Sequence, residues 1–157
     1  MSAPKPPAID PLSVPARTGT GYPEPFKAPV MPREWRALGD ALGLKNFGVN
    51  LVRLPPGAWS SQRHWHTRQD EFVWVLEGAV TLVTDAGPQV LMPGMCAGFP
   101  AGKTDGHHFV NRSDADVVFL VVGDRLPGDE GHYSEVDLKA NPTRMSYVFT
   151  HKDGTPY

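Results

Sequence analysis

The sequence has little of what membrane proteins, disulfide-rich secreted domains and nucleic-acid-binding proteins require. Its longest strictly apolar run, residues 117–122, spans six residues, whereas a transmembrane helix needs about 20. Its single cysteine, Cys96, cannot form an internal disulfide, which fits a reducing cytoplasm. The net charge is −2 and no block of Lys or Arg stands out. We therefore expect neither a membrane nor a nucleic acid as partner.

The start of the chain also lacks the apolar core of a secretory signal, so we expect a cytoplasmic protein. With 157 residues, 40% of them apolar and 20% charged, the chain has the size and composition of one globular domain. No helical heptads are present, which argues against a coiled coil.

Proline is concentrated in an N-terminal arm. Nine of the 17 prolines lie within the first 32 residues, where each removes a backbone donor and restrains φ. Residues 1–32 are thus predicted to be extended, within a Pro-rich N-terminal arm of residues 1–44. Tyr22, Phe26 and Trp35 could anchor the arm if it lies across the domain. The spacing of Trp35, Leu38 and Leu42 predicts about two turns of helix over residues 34–42, ending near Gly43.

From residue 47 onward, short apolar stretches alternate with Gly and Pro turn signals, which is typical of an antiparallel β-sandwich or barrel. The fold class predicted is therefore all-β. The predicted central strands are residues 47–54, 71–76, 79–84, 89–92, 95–99, 107–110 and 117–122. The more polar tail holds two further candidate strands, residues 133–138 and 145–150.

A candidate metal site lies in the centre of the sequence. His64 and His66 are two residues apart, so in an extended segment both side chains leave the same face. If the face of the next strand that carries Glu71 meets them, two imidazoles and a carboxylate converge, a ligand set suited to a divalent transition metal. Neighbouring Asp70 is the alternative carboxylate. Gln62 shares the phase of His64 and could reach a bound substrate.

A third imidazole could come from the pair His107 and His108. Alternation places His107 with Phe109 on one face and His108 on the other. Spacing alone does not decide which face points inward. If His107 does, Phe109 lines the same cavity and could contact a substrate.

These residues resemble the two motifs of the cupins, small β-barrels of the jelly-roll type. The first motif is matched by Gly57, His64, His66, Glu71 and Gly78, with one extra residue after Gly57. The second is matched by Gly94, Pro100, Gly102, His107 and Asn111, with two extra residues before the histidine. The arm and the ending KDGTPY are also similar to bacterial single-domain cupins, some of which are described as sugar-phosphate isomerases.

The resemblance implies a single cupin jelly-roll β-barrel (double-stranded β-helix) over residues 45–125. The Pro-rich arm would precede it, and a C-terminal tail, residues 126–157, would pack on the barrel or on a partner. The position of Asn111 selects His107 as the ligand beside His64, His66 and Glu71, while the insertion keeps His108 as a candidate for the site. The implied cofactor is a divalent transition metal: zinc, iron, manganese or nickel.

Such a centre favours a small oxygenated metabolite, for example a sugar or sugar acid, with the metal as Lewis acid. An isomerase or a dioxygenase-like enzyme fits this description. Because no acid/base pair accompanies the ligands, a non-catalytic sugar-binding or sensing protein is the alternative, and the catalytic residues are not identified. Strands of the arm or tail could also add to a neighbour's sheet, so we expect a homodimer, as in many cupins.

Overall fold

The computed structural model describes residues 6–143 and 146–157, and its regular structure is almost entirely β-sheet. One short helix, α1 (Leu38–Ala41), and a 3-10 turn at Pro11–Ser13 accompany the strands. The strands are β1 (Arg17–Thr18), β2 (Glu34–Ala37), β3 (Phe47–Leu54), β4 (His64–His66), β5 (Glu71–Glu77), β6 (Val80–Thr84), β7 (Gly87–Leu91), β8 (Cys96–Phe99), β9 (His108–Val110), β10 (Val117–Asp124), β11 (Gly131–Tyr133), β12 (Lys139–Pro142) and β13 (Tyr147–Thr150).

The strands pair antiparallel in three sheets. The largest has six strands in the order β1-β2-β3-β10-β5-β8, the second has the order β13-β12-β11-β4, and the third has the order β7-β6-β9. Of the tail strands, β11 pairs with β4 of its own chain, through the register His132 to Trp65, and β12 and β13 extend the same sheet. This connection brings the C-terminal segment to the strand that carries two of the predicted ligands.

Two apolar clusters hold the sheets together. The first lies between the six-stranded and three-stranded sheets and includes Leu54, Val75, Val80 and Phe119, all fully buried. The second lies between the arm and the C-terminal strands and includes Tyr22, Val30, Tyr133 and Leu138, with Phe26 packed against it. The arm is thus laid across the sheets, because its apolar side chains complete a core that the tail strands cannot fill alone.

The seven predicted central strands all occur, and the all-β class is confirmed. The bounds of β3 match the prediction, and the others differ by one or two residues. Alternation explains this success, since Val73 and Val75 are fully buried while Phe72 and Trp74 are exposed on the opposite face.

Two local predictions are wrong. Residues 34–37 form β2 rather than helix, because they pair with β3 in the register Trp35 to Val52, and only one helical turn follows. That turn ends before Gly43, as predicted, and Gly43 itself has a φ of +73°.

In the tail, residues 134–138 are not a strand, since β11 has already ended at Tyr133. Of the other tail candidate, β13 accounts for residues 147–150, and Met145 lies outside the described residues. Within the described part of the chain, no helix has the length and hydropathy of a membrane span.

Candidate metal centre

Backbone pairing brings the predicted histidines together. In β4, His64 and His66 project from one face, while Trp65 on the other face stacks on His132 with ring centroids 4.6 Å apart. The backbone of His64 is paired with that of His107: His64 N donates to His107 O at 3.1 Å, and His107 N donates to His64 O at 2.8 Å. This bridge places the imidazole rings of His64 and His107 with centroids 5.0 Å apart.

The separations between ligand atoms suit a single ion. One nitrogen of His64, one of His66 and one Glu71 oxygen lie within 4.8 Å of one another. The Glu71 Oε2 atom is 3.7 Å from His66 Nε2 and 3.4 Å from His107 Nε2. Two ligands bound at about 2.1 Å stand roughly 3.0–3.4 Å apart at octahedral or tetrahedral angles. Small side-chain shifts would therefore suffice for His64, His66 and Glu71 to share one ion, and His107 is a fourth candidate ligand through its contact with Glu71.

Hydrogen bonds fix the tautomers of two of the histidines. His64 Nδ1 lies 2.9 Å from the carbonyl oxygen of Gln62, and His66 Nδ1 lies 2.6 Å from Asp129 Oδ2. A carbonyl and a carboxylate only accept, so each Nδ1 carries the hydrogen and donates it. Each Nε2 keeps its lone pair and remains available to a metal.

The surroundings of His107 suit a metal ligand. The residue is 2% exposed, and neither of its ring nitrogens has a hydrogen-bond partner among the described residues. The ring of Phe99 stacks on it at a centroid distance of 3.5 Å and holds its orientation. A buried nitrogen without a partner costs free energy, and a bound ion would remove that cost.

The electrostatics of the cluster give two of its groups, His64 and Glu71, the protonation states that coordinate cations. Burial, with the neighbouring imidazoles, lowers the pKa of His64 to about 3. Burial alone would raise the pKa of Glu71, but the imidazoles of His107, His64 and His66 outweigh it and lower the pKa to about 2. At neutral pH His64 is therefore neutral and Glu71 ionised, the forms that coordinate cations.

Asp129 supports the centre from the tail, and the sequence analysis missed it. Its carboxylate is 1% exposed and accepts hydrogen bonds from His66 Nδ1, from Arg68 N at 2.8 Å and from Tyr147 Oη at 2.9 Å. Burial would raise the pKa of Asp129, but these hydrogen bonds hold it below its usual value. Nothing in its sequence surroundings, Pro-Gly-Asp-Glu, marks it as more than a turn residue.

Asp129→Asn is expected to weaken metal binding about 10- to 100-fold while the fold is kept. The amide can still accept from Arg68 N through Oδ1, but an Nδ2 group facing His66 donates. His66 Nδ1 must then accept, its hydrogen moves to Nε2, and the metal-binding lone pair is lost. Titration of the apo-protein with Zn²⁺ measures the change.

Asp137→Asn is the matched control, because Asp137 pairs with His151 at 2.8 Å on the exposed surface. Equal zinc affinities for the Asp129→Asn and wild-type proteins would show that Asp129 does not orient a ligand.

The cluster opens into a cavity of about 610 Å³. Its lining comes from the arm, from strands β3, β5 and β10, and from the segments around β4, β9 and β13. The residues that line it are Tyr22, Arg33, Trp35, Asn50, Val52, Ser60, Ser61, His64, His66, Glu71, His107, Phe109, Phe119, Val121, Ser146 and Tyr147. A small organic ligand would fit in this volume with one side against the histidines.

The predicted substrate contacts divide between this cavity and the protein interior. Phe109 lines the cavity on the same face as His107. Gln62 and His108 do not line it: Gln62 Nε2 donates to Phe26 O at 2.9 Å, and His108 Nδ1 lies 3.1 Å from Ser61 O. The chain bends at Gln62 before β4 begins, so the phase of His64 does not extend to it. A role of Gln62 and His108 in binding a substrate stays a prediction. Asp70, the alternative carboxylate, accepts from Ala101 N on the exposed surface.

The contribution of the arm to the cavity has no signal in the sequence. Tyr22, predicted as an anchor of the arm, and Arg33, to which the sequence assigns no role, both line the cavity. Periodicity and motif spacing carry no signal for such contacts, because they arise where the arm crosses the sheets.

The fold and this site define the class of protein. A family model for the cupin domain (Cupin_2) matches residues 50–123. A protein solved from Silicibacter pomeroyi DSS-3, described as a sugar phosphate isomerase from the cupin superfamily, is 50% identical over 96% of each chain, with a TM-score of 0.93. The chain belongs to the cupin superfamily.

More distant solved structures share the fold. A protein from Acidithiobacillus ferrooxidans, provisionally described as a sugar phosphate isomerase, is 29% identical over 80% of each chain, with a TM-score of 0.72. The polyketide cyclase RemF from Streptomyces resistomycificus is 25% identical over 74% of this chain and 78% of its own, with a TM-score of 0.61. No protein of curated function matches the chain.

Proposed function

We propose that this cupin is a metal-dependent isomerase of a small sugar derivative. The observation that carries the proposal is the cluster of three partly buried residues, His64, His66 and Glu71, and the buried His107, which opens into a cavity of about 610 Å³. The 50% identical relative described as a sugar phosphate isomerase supports the reaction class.

The four residues would hold a divalent transition metal, with three imidazole nitrogens and one carboxylate oxygen as ligands. When bound, the ion would act as a Lewis acid toward a carbonyl or hydroxyl oxygen of the substrate. The set combines nitrogen with oxygen donors and includes no thiolate, which suits zinc, iron, manganese or nickel.

Tyr22 is the group best placed to donate a proton to a bound sugar. Its hydroxyl oxygen accepts from Tyr133 Oη at 3.3 Å, and the residue lines the cavity. Burial raises the pKa of Tyr22, so the hydroxyl is protonated at neutral pH. The other tyrosine in the lining, Tyr147, donates to Asp129 and is not available in the same way.

The reaction is tested by following aldose–ketose interconversion of a panel of small sugar phosphates by NMR. We expect turnover that requires added Zn²⁺, Mn²⁺, Fe²⁺ or Ni²⁺ and is absent in His64→Ala/His66→Ala. Incorporation of solvent deuterium at the carbon next to the carbonyl would identify proton transfer as the step. Binding of sugars without turnover under any metal would contradict the proposal.

That contrary result would instead favour a non-catalytic sugar-binding or sensing protein. One observation supports this alternative: among the described residues that line the cavity, Glu71 is the sole carboxylate, and it is a candidate metal ligand. An isomerase needs a base as well as an acid, so the base would have to come from the substrate, the solvent or a group displaced from the metal.

The protein is further proposed to form a two-fold homodimer through the outer face of the six-stranded sheet. Phe72, Trp74 and Leu76 project from β5 with exposures of 40%, 48% and 40%, and Cys96 opposite Trp74 is exposed as well. Contiguous apolar surface of this kind marks association sites. The tail strands, in contrast, pair within their own chain.

Light scattering is expected to give twice the chain mass of 17.1 kDa at micromolar concentration. Trp74→Lys places a charge on this face and is expected to give the monomer mass without loss of metal binding. A monomeric wild-type protein would contradict the homodimer.

A further inference from the structure

Arg33 differs from the other arginines that the structure describes. Most of those pair with a carboxylate, and the ones without an ion pair, Arg17, Arg68 and Arg112, are exposed. Arg33 is partly buried and lines the metal cavity, yet no carboxylate lies within ion-pair distance among the described residues. Its charge therefore faces the cavity without a counter-ion.

The surroundings of Arg33 hold its guanidinium in place. Nη1 donates to Ser60 O at 2.6 Å, and the guanidinium carbon lies 4.8 Å from the ring centroid of Trp35. Within the part of the chain that the structure describes, the buried Nε atom has no hydrogen-bond partner. A partly desolvated arginine without a counter-ion is costly to the fold, and an oxyanion in the cavity would offset that cost.

The charge balance of the cavity points the same way. A divalent ion at the cluster would be balanced by two carboxylates, that of Glu71 and that of Asp129, which accepts from His66 Nδ1. Arg33 then adds a positive charge that nothing in the described lining compensates. The pocket as a whole is complementary to a ligand that carries one anionic group.

We propose that Arg33 is the anion-binding residue of the substrate site, which receives the phosphate or carboxylate of a small polyhydroxy metabolite. The inference rests on the proposed function, because it assumes that the same ligand reaches the metal cluster with its hydroxyl or carbonyl oxygens. The substrate class is thereby narrowed from sugar derivatives to those with an oxyanion at one end. Tyr22, on the same wall, is positioned to donate a hydrogen bond to the same ligand.

Three probes of the same carbon skeleton test this assignment: glycerol, glycerate and glycerol 3-phosphate. They are titrated by calorimetry into the wild-type protein loaded with Zn²⁺, and into Arg33→Gln and Arg33→Lys. We expect at least one anionic probe to bind about 10- to 100-fold more tightly than glycerol to the wild type. That preference should disappear in Arg33→Gln and be partly kept in Arg33→Lys, which retains the charge. The anion that shows the preference identifies the group as phosphate or carboxylate.

Arg53→Gln is the matched control. Arg53 lies on β3, forms a half-exposed ion pair with Asp116 at 3.2 Å, and is not in the cavity lining. It should bind all three probes as the wild type does. The assignment is overturned if both anions bind no more tightly than glycerol, or if Arg33→Gln keeps the preference. It is equally overturned if the preference is lost in Arg33→Lys and in Arg53→Gln alike.

Metal content separates failure of this inference from failure of the proposed function. Zinc bound by the wild type and by Arg33→Gln, with no anion preference in either, would refute only the role of Arg33. If the wild type binds no metal, the proposed function fails. The same titration of the metal-free protein then still tests Arg33. A wild-type preference for an anion that is lost in Arg33→Gln supports the anion site. A wild-type protein without any preference for an anion refutes it.

Discussion

His64→Ala/His66→Ala is expected to be purified without metal, whereas the wild-type protein should carry about one equivalent of iron, manganese, nickel or zinc. The double variant removes two of the four candidate ligands, and the remaining Glu71 and His107 cannot hold an ion against competition from water and buffer. Elemental mass spectrometry of the freshly purified proteins measures the difference.

His151→Ala controls for the loss of a histidine as such, because His151 pairs with Asp137 on the exposed surface. It should keep the wild-type metal content. Metal retained at the wild-type level in the double variant would place the ion elsewhere, and a metal-free wild type that also fails to take up added metal would refute the site. Iron would direct the next assays to oxygen uptake, and zinc or manganese to the isomerase panel.

Gly78→Ala is expected to destabilise the fold by about 2–5 kcal/mol, one of the largest effects available from a single methyl group. Gly78 lies in the turn between β5 and β6 with a φ of +72°. A Cβ atom there would stand 2.5 Å from the carbonyl oxygen of Asp116 and 3.1 Å from Val117 Cγ2. The backbone of two strands must move to accommodate it, in addition to the strain of a left-handed conformation.

Gly57→Ala separates these two costs. Gly57 has a φ of +80°, but nothing lies within 4 Å of the position of its Cβ. It should therefore show only the conformational cost, about 1–2 kcal/mol. Urea denaturation of both variants compares the free energies of unfolding. If the two variants lose the same stability, the close approach of residues 116–117 to Gly78 does not limit the turn.

The central strands could be predicted because their residues carry two independent signals. In β5, Val73 and Val75 alternate with Phe72 and Trp74, and the turn glycine Gly78 ends the strand. Alternation and turn chemistry agree there, so local sequence is sufficient. Residues 34–37 show the opposite, since the spacing of Trp35 and Leu38 predicts a helix there. The segment forms a strand because it pairs with β3, and the local sequence around residue 34 does not encode that pairing.

Two of the candidate metal ligands were predictable for a related reason, namely that their spacing reflects strand geometry. His64 and His66 share a face because they are two apart in an extended segment. The choice of His107 over His108 came from the resemblance to the cupin motif, and the structure places His107 beside Glu71. Asp129 and Arg33 had no such signal, because each reaches the site from a distant segment with no regular spacing to the motifs.

By itself, the sequence determined the all-β class, the positions of the central strands and the candidate ligands His64, His66, Glu71 and His107. The strands and the shared face of His64 and His66 follow from period-two alternation and short-range turns, whereas Glu71 and His107 were selected by the resemblance to the cupin motifs. Only the tertiary structure decided what surrounds the ligands: the carboxylate of Asp129 behind His66, and the uncompensated charge of Arg33 across the cavity. Such contacts depend on where the arm and tail cross the sheets, and that is settled by burial of apolar surface between distant segments rather than by any local pattern.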